Sequence, residues 1–352
     1  MFLVGLGTAV PETRYTQREC WDALRGSARF TRLTAPARVL LERVLLGESG
    51  IRTRHLALAR LDEAFAIEPD VLHRRFAEHA PALAANAAAA ALERAGIAPR
   101  GIDALLISTC TGYLCPGLTS YIAERLGLRA GILALDLVGQ GCGAALPNLR
   151  TAEALIASRQ HEHVLSVCVE VCSAALYIDD DPGVLVSACL FGDGAAAAVL
   201  SRRPRGAGRT LEWTGAFSAA DATERDALRM ETRGGLLRNI LSRAVPAVAA
   251  RHARELFDQA AGERAISRED IRTWIWHAGG RTVLDRVRDA LELDEAAVGA
   301  SREMLSRYGN LSSPFVLFVL EAALARGAPG GWWWMSSFGA GFSCHGALLK
   351  VA

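Results

Sequence analysis

A chain of 352 residues, 51% of them hydrophobic, can bury a sizeable core without a metal or disulfide staple. Its 39 basic and 38 acidic residues nearly cancel, so it lacks the charge excess of a nucleic-acid binder, and any anionic ligand must be met locally. The longest apolar runs, such as Phe315–Leu320, fall far short of the ~20 residues that cross a bilayer, which predicts no membrane span.

The N-terminal Met1-Phe2-Leu3-Val4 has no basic stretch of the signal-peptide kind and reads as a strand, so a cytoplasmic protein is expected. Gly5-Leu6-Gly7 follows that strand. A dinucleotide-binding turn would need a third glycine and an uninterrupted helix, but Pro11 intervenes, so the pair is read as a strand-ending turn. Helices are then expected over Pro81–Ala95, Thr119–Leu126 and Ala144–Ser158, alternating with strands near Ala104–Ser108, Leu133–Val138, Val164–Val169 and Ala195–Leu200. The alanine run Ala87–Ala91 is a good helix former.

The stretch Ser201–Arg209, polar and rich in Gly and Pro, reads as a connector. Beyond it the order recurs more loosely. Strands are expected at Leu211–Ala216 and Thr273–Trp276, helices at Leu237–Ala261, Val283–Leu291 and Pro314–Ala325, and strands at Trp332–Ser336 and Ser343–Val351. The pattern predicts an α/β protein of two similar halves, 1–205 and 206–352.

Eight cysteines in a chain of this kind read as thiols. The pairs Cys168/Cys172 and His161/His163 lack a second pair at zinc-ribbon spacing, so no metal site is expected. Cys142 differs from the others. It sits in Gly139-Gln140-Gly141-Cys142-Gly143-Ala144-Ala145, where a strand turns into a helix. The unpaired N–H groups and dipole of a helix start favour a thiolate, and the flanking glycines clear an approach for substrate. The alternative is a buried structural thiol.

Two later segments carry further candidates. Trp274-Ile275-Trp276-His277-Ala278-Gly279-Gly280 delivers a histidine from a strand to a Gly-Gly loop. Tyr308-Gly309-Asn310-Leu311-Ser312-Ser313-Pro314 puts an asparagine in a turn before an apolar helix, where alone it would read as a cap.

Together, and with Leu190-Phe191-Gly192-Asp193-Gly194-Ala195-Ala196 and Ser337-Phe338-Gly339-Ala340-Gly341, these segments resemble the chalcone-synthase-like type III polyketide synthases of the thiolase superfamily. The resemblance implies a five-layered αβαβα fold, a homodimer, and an iterative decarboxylative condensation of an acyl-CoA starter with malonyl-CoA that needs no cofactor. It assigns Cys142 as acyl carrier, His277 and Asn310 as the pair that binds the thioester carbonyl, and Phe191 as a gatekeeping aromatic. It also places Gly279, Gly280 and Phe338 beside the substrate, a second gatekeeper near Arg238, and Cys115 on a loop that reaches the partner's cavity.

Several positions depart from the plant members. Where the family carries basic residues for CoA phosphates, Glu42 and Glu48 appear, and only Arg52 and Arg54 suit that role. Cys172 and Ala175 replace wall threonines, which implies an aliphatic starter and a pyrone or resorcinol product; Ser187, larger than the glycine usual at its position, opposes this slightly. A carrier-protein-bound donor stays open. The competing readings are a single-round β-ketoacyl synthase and a non-catalytic acyl-binding homologue. The first is expected to show His-x-Ala-Asn and Gly-Asn-Thr-Ser, and the intact Cys142, His277 and Asn310 argue against the second.

Overall fold

The computed structural model describes residues 1–206 and 208–352, without the side chain of Glu48. The expected connector 201–209 therefore contains one residue, Ala207, outside the described residues.

Strand β1 (Phe2–Ala9) is followed by β2 (Arg14–Thr16), three helices, α1 (Gln17–Arg25), α2 (Ala28–Arg32) and α3 (Ala35–Arg43), and β3 (Thr53–His55), which pairs with β2. Next come α4 (Pro69–Ala95), β4 (Ala104–Ser108), α5 (Leu118–Leu126), β5 (Leu133–Leu137), α6 (Ala145–Ala157), β6 (His163–Glu170), α7 (Pro182–Leu190) and β7 (Gly194–Ser201). The second half runs β8 (Leu211–Ala220), β9 (Leu228–Arg233), β10 (Leu236–Leu241), α8 (Val245–Arg264), β11 (Ile271–Trp276) and α9 (Arg281–Ala290). It ends with α10 (Ala296–Tyr308), α11 (Phe315–Ala325), β12 (Gly331–Gly339) and β13 (Ser343–Val351).

Nine strands form one mixed sheet in the order β11-β12-β13-β8-β1-β7-β6-β4-β5, and its two ends follow one rule. In the first half β4 runs parallel to β6, which pairs antiparallel with β7, which pairs antiparallel with β1. In the second half β11, β12, β13 and β8 repeat those three relations. The halves meet where Phe2 and Leu3 face Glu212 and Leu211. Helices α6 and α11 each touch strands of both halves, while α4 and α5 cover the outer face of one half and α8 covers that of the other. This is the expected order of layers, with the central helices α6 and α11 packed between the two halves of the sheet.

The strand-ending turn expected at Gly5-Leu6-Gly7 is absent, since both glycines lie inside β1, where they have a packing reason. A Cβ on Gly5 would lie 2.1 Å from the Ala91 carbonyl oxygen, and one on Gly7 would lie 2.3 Å from that of Ala87. The alanine face of α4 thus rests directly on the backbone of β1, and both the glycine pair and the alanine run serve that contact.

Three regions depart from expectation. The helix expected at 81–95 begins at Pro69 and contains Pro81. The helix expected at 237–261 begins only at Val245, because Leu236–Leu241 pairs with Leu228–Arg233 in a hairpin. Its turn, Gly234-Gly235, has φ of 58° and 78°, the left-handed pair that a tight hairpin requires. Helices α1–α3, α7 and α10 were not expected. The signal for α1 was present, since Thr16 and Glu19 form a reciprocal capping box. Among the described residues no helix is long and apolar enough to cross a membrane.

Candidate active site

Cys142 is placed by backbone constraint. After β5, Gly139 and Gly141 take φ of 86° and 56°, and a 3-10 turn over Gly141–Gly143 leads into α6. A Cβ on Gly143 would lie 3.0 Å from the Gly339 nitrogen, so the turn is pressed against β12. Pro147 is the third residue of α6, where a missing N–H costs no intrahelical bond.

The Cys142 thiol accepts a hydrogen bond from Ser312 Oγ at 3.2 Å. Burial nevertheless pushes it up to about 12; the Ser312 hydroxyl pulls it down less than that, and the nearby Glu170 carboxylate adds to the rise. The expected preference for thiolate at a helix start is thus reversed, because desolvation exceeds the help of one hydroxyl and a turn.

The other half supplies the turn before α11. Asn310 joins Phe191 in an isolated bridge, donating its backbone N–H to Leu190 O at 2.8 Å and accepting from Gly192 N at 3.0 Å. Its Oδ1 accepts from Ser312 N at 2.8 Å, and its Nδ2 donates to Gly279 O at 3.3 Å. That pairing holds Ser312 at φ 58°, a left-handed conformation that a serine adopts only under local constraint. His277 leaves β11 with its N–H on Ser336 O, and its ring meets the edge of Phe315 at 5.5 Å. Burial pulls the imidazole down to about 3, and its Nδ1 is buried without a hydrogen-bond partner. Cys142, Ser312, Asn310, Gly279 and the His277 segment are therefore linked through one turn.

Sequence reasoning missed Glu170 as part of this cluster. Fully buried, it accepts from Cys110 N at 3.0 Å, Thr111 Oγ1 at 2.9 Å, Ser313 Oγ at 2.6 Å and the Cys110 thiol at 3.3 Å. Burial raises its carboxyl above the usual range, against those bonds. Asp193 does similar work behind the wall, accepting from Ala57 N, Ser173 N and Ser173 Oγ, and burial raises it too. The visible signal for both was an acid in a wholly apolar strand or glycine turn.

Cys142 lines a chamber together with Cys110, Cys172, Ala175, Ser187 and Phe191, and its apolar end is lined by Leu24, Leu41, Leu45 and Phe65, which pack in one cluster, and by Leu58. His277 and Asn310 do not line it; each is 2% exposed. Other sequence candidates fall elsewhere. Arg54 lines the wall, but it is buried, with Nε on Gln17 Oε1 at 3.0 Å and a terminal nitrogen at 2.9 Å from both the Ala188 and the Phe191 carbonyls. A role in gripping CoA phosphate at the surface does not fit a guanidinium so engaged. Arg52 is exposed and donates to Ser306 Oγ at 2.8 Å. Phe338 is buried against Phe342, Gly280 caps α9, and the Gly279 carbonyl accepts from Asn310. Cys115 lies exposed on its loop. Arg238 points away from the chamber, and the place expected for it is taken by Asn239. Among the described residues no cluster of His, Cys, Asp or Glu could hold a metal ion.

A doubled α/β sheet whose two central helices begin at one shared cysteine-serine contact defines an acyltransferase of the thiolase fold. Residues 15–252 match the profile of the FAE1/type III polyketide synthase-like proteins, and residues 226–351 match the chalcone and stilbene synthase C-terminal domain. The 1,3,6,8-tetrahydroxynaphthalene synthase of Streptomyces peucetius subsp. caesius is 33% identical over 97% of this chain and 91% of its own. The 3,5-dihydroxyphenylacetyl-CoA synthase of Streptomyces toyocaensis is 30% identical over 99% and 89%. Among solved structures, PKS-I from the brown alga Ectocarpus siliculosus superposes with a TM-score of 0.90 at 27% identity, covering 99% of this chain and 98% of that one.

The chain belongs to the type III polyketide synthases. It is an acyltransferase that works on CoA thioesters by decarboxylative condensation with malonyl-CoA and needs no cofactor; the relatives do not support the single-round alternative.

Proposed function

We propose that Cys142 carries the growing chain and that the starter is an aliphatic acyl group. The Cys142 sulfur attacks the acyl-CoA thioester as His277 takes the thiol proton, and CoA departs as its thiol with that proton. Malonyl-CoA then loses carbon dioxide, and N–H groups of His277 and Asn310 stabilise the enolate oxygen, each worth ~3–4 kcal/mol. Asn310 Nδ2 has a second hydrogen beyond the one given to Gly279. The enolate carbon attacks the acyl-cysteine, freeing Cys142 and lengthening the chain by two carbons. Ring closure to a pyrone or resorcinol completes the product.

The observation that carries the aliphatic starter is the apolar end of the chamber, together with Cys172 and Ala175 in its wall. Burying one further CH₂ there contributes ~0.8 kcal/mol. A second reading rests on the relatives' names. The ten-carbon tetrahydroxynaphthalene skeleton is made wholly of two-carbon units, so a malonyl-derived starter would suffice for it.

We further assign a homodimer, because β5 is an edge strand with exposed residues, and among the described residues the exposed large apolar side chains Leu133, on it, Val138, just after it, and Tyr113, near Cys115 in sequence, mark that edge. The donor's phosphates are assigned to Arg52 and to the outer side of α1–α3, where residues 14–43 hold seven arginines against three acids; an acidic carrier-protein donor would use the same surface. The protein is placed in the cytoplasm, and 1–205 and 206–352 are kept as its two halves.

Mass spectrometry of products from malonyl-CoA with hexanoyl- through palmitoyl-CoA, with coumaroyl-CoA, or alone tests the starter. Alkyl products are expected, with intact Cys142→Ala protein carrying no acyl group. A clear preference for coumaroyl-CoA would exclude the aliphatic reading, and product from malonyl-CoA alone, unchanged by acyl-CoA, would establish the second.

A further inference from the structure

One wall of the chamber is the β9–β10 hairpin, and one guanidinium gathers three carboxylates at its outer side. Strand alternation turns Asn239 and its cross-strand partner Met230 toward the chamber, and Arg238 and its partner Glu231 away from it. The Arg238 side chain is only 10% exposed. Its Nε lies 3.0 Å from Asp179, and its two terminal nitrogens lie 3.1 Å from Asp181 and 2.9 Å from Glu231. Each guanidinium nitrogen thus meets a different carboxylate, a geometry open to arginine and closed to the point charge of lysine.

Two of those carboxylates belong to the adjoining wall, α7 and the loop before it. Asp179 follows Tyr177 and Ile178, which line the chamber, and Asp181 caps α7 with its other oxygen, accepting from Gly183 N at 2.8 Å. Two more ties run beside the ion pairs. Asn239 Nδ2 donates to Ser187 Oγ at 3.2 Å, and Leu241 presses so close to α7 that a Cβ on Gly183 would lie 2.4 Å from the Leu241 oxygen.

We infer that Arg238 is a positioning residue that sets the width of the acyl chamber, by ion-pairing the hairpin that bears Met230 and Asn239 to the 177–181 loop and α7. It touches no substrate; it selects starters through the walls it holds. The inference rests on the chamber being the acyl site. Without the cation, Asp179, Asp181 and Glu231 face one another as like charges, and the hairpin loses its hold on α7.

The test is R238M, which keeps length and removes charge, beside R238K and the milder D179N. For each folded variant, kcat/KM is compared for hexanoyl-, dodecanoyl- and palmitoyl-CoA, and starter-free malonyl-CoA decarboxylation is measured separately. A change of about fivefold or more in the hexanoyl-to-palmitoyl ratio is expected for R238M, carried by KM, with a smaller change for R238K and decarboxylation within about twofold of wild type. If R238M does not fold, D179N combined with E231Q is judged by the same ratio. An unchanged ratio and product set in folded variants would overturn the inference and leave Arg238 a purely structural ion pair. Wild-type protein that decarboxylates malonyl-CoA but loads no acyl starter would overturn the acyl-site reading first, and the role of Arg238 with it.

Discussion

The chamber has two unlike ends. Around Cys142, nearly every polar atom is committed: Glu170 collects bonds from Cys110, Thr111 and Ser313, and Ser312 is held in a left-handed turn by Asn310. At the far end, Leu24, Leu41, Leu45 and Phe65 offer shape and no directed bond. One end fixes the positions of reacting atoms, and the other fixes only how much apolar volume is available. Substitutions at the first should alter rates of chemical steps, and substitutions at the second should alter which chain is accepted.

The largest effect expected in a single chemical step is at Asn310. Asn310→Ala removes an N–H donor from the proposed enolate site and the acceptor that holds Ser312 N. Malonyl-CoA decarboxylation should fall by about 10²- to 10³-fold, with acyl loading of Cys142 less affected. Equal losses in stopped decarboxylation assays and in intact-mass loading assays would dissolve the division between the two half-reactions.

The same contrast decides what the sequence made legible. The catalytic end depends on backbone that few residues can adopt. Gly139, Gly141 and Gly309 all have positive φ, and glycines at such positions stand out in a sequence. Cys142 and Asn310 could therefore be singled out from their flanks. The far end is built from α1 and α3, whose Cys20, Trp21, Leu24 and Leu41 have the spacing of any core-facing helix. No rule of spacing separates a leucine that lines a cavity from one that fills a core.

Arg238 and Arg54 failed for a third reason. Their roles were carried over from a resemblance, while the direction of each side chain is set by local pairing: strand register turns Arg238 outward, and three carbonyl or amide oxygens claim Arg54. The hairpin itself was hidden by Leu236-Leu237, an aliphatic pair compatible with a helix, although Gly234-Gly235 marked the turn.

A smaller effect sharpens the electrostatics of the catalytic end. Glu170 raises the Cys142 thiol through its negative charge, on top of the larger effect of burial. Glu170→Gln removes that charge, so the thiol should titrate lower and iodoacetamide should alkylate Cys142 faster at every pH between about 7 and 10, by a few-fold. The variant should also melt earlier, because an amide cannot accept at both positions as the carboxylate does, and one of the donors from Cys110, Thr111 or Ser313 is left unpaired in a buried site, at a cost of about 1–3 kcal/mol. Slower alkylation in the folded variant would show that Glu170 organises the thiol's approach more than it opposes its charge.

At the far end, where nothing but volume changes, the expected effect is confined to long starters. Leu24 projects from α1 into the chamber and is 6% exposed. Leu24→Trp adds bulk at the apolar end of the chamber, where the distal part of a long acyl chain would lie. Losing burial of one or two CH₂ groups, at ~0.8 kcal/mol each, corresponds to a drop of about four- to fifteen-fold in kcat/KM for palmitoyl-CoA. Hexanoyl-CoA, too short to reach that wall, should be nearly unaffected, and starter-free decarboxylation should not move. The added volume costs the fold as well, about 1–3 kcal/mol of overpacking, so the comparison must be made within one folded preparation as a ratio of starters. Should palmitoyl- and hexanoyl-CoA lose equally, the residues of α1 and α3 are core rather than chamber, and the contrast between the two ends fails at its distal member.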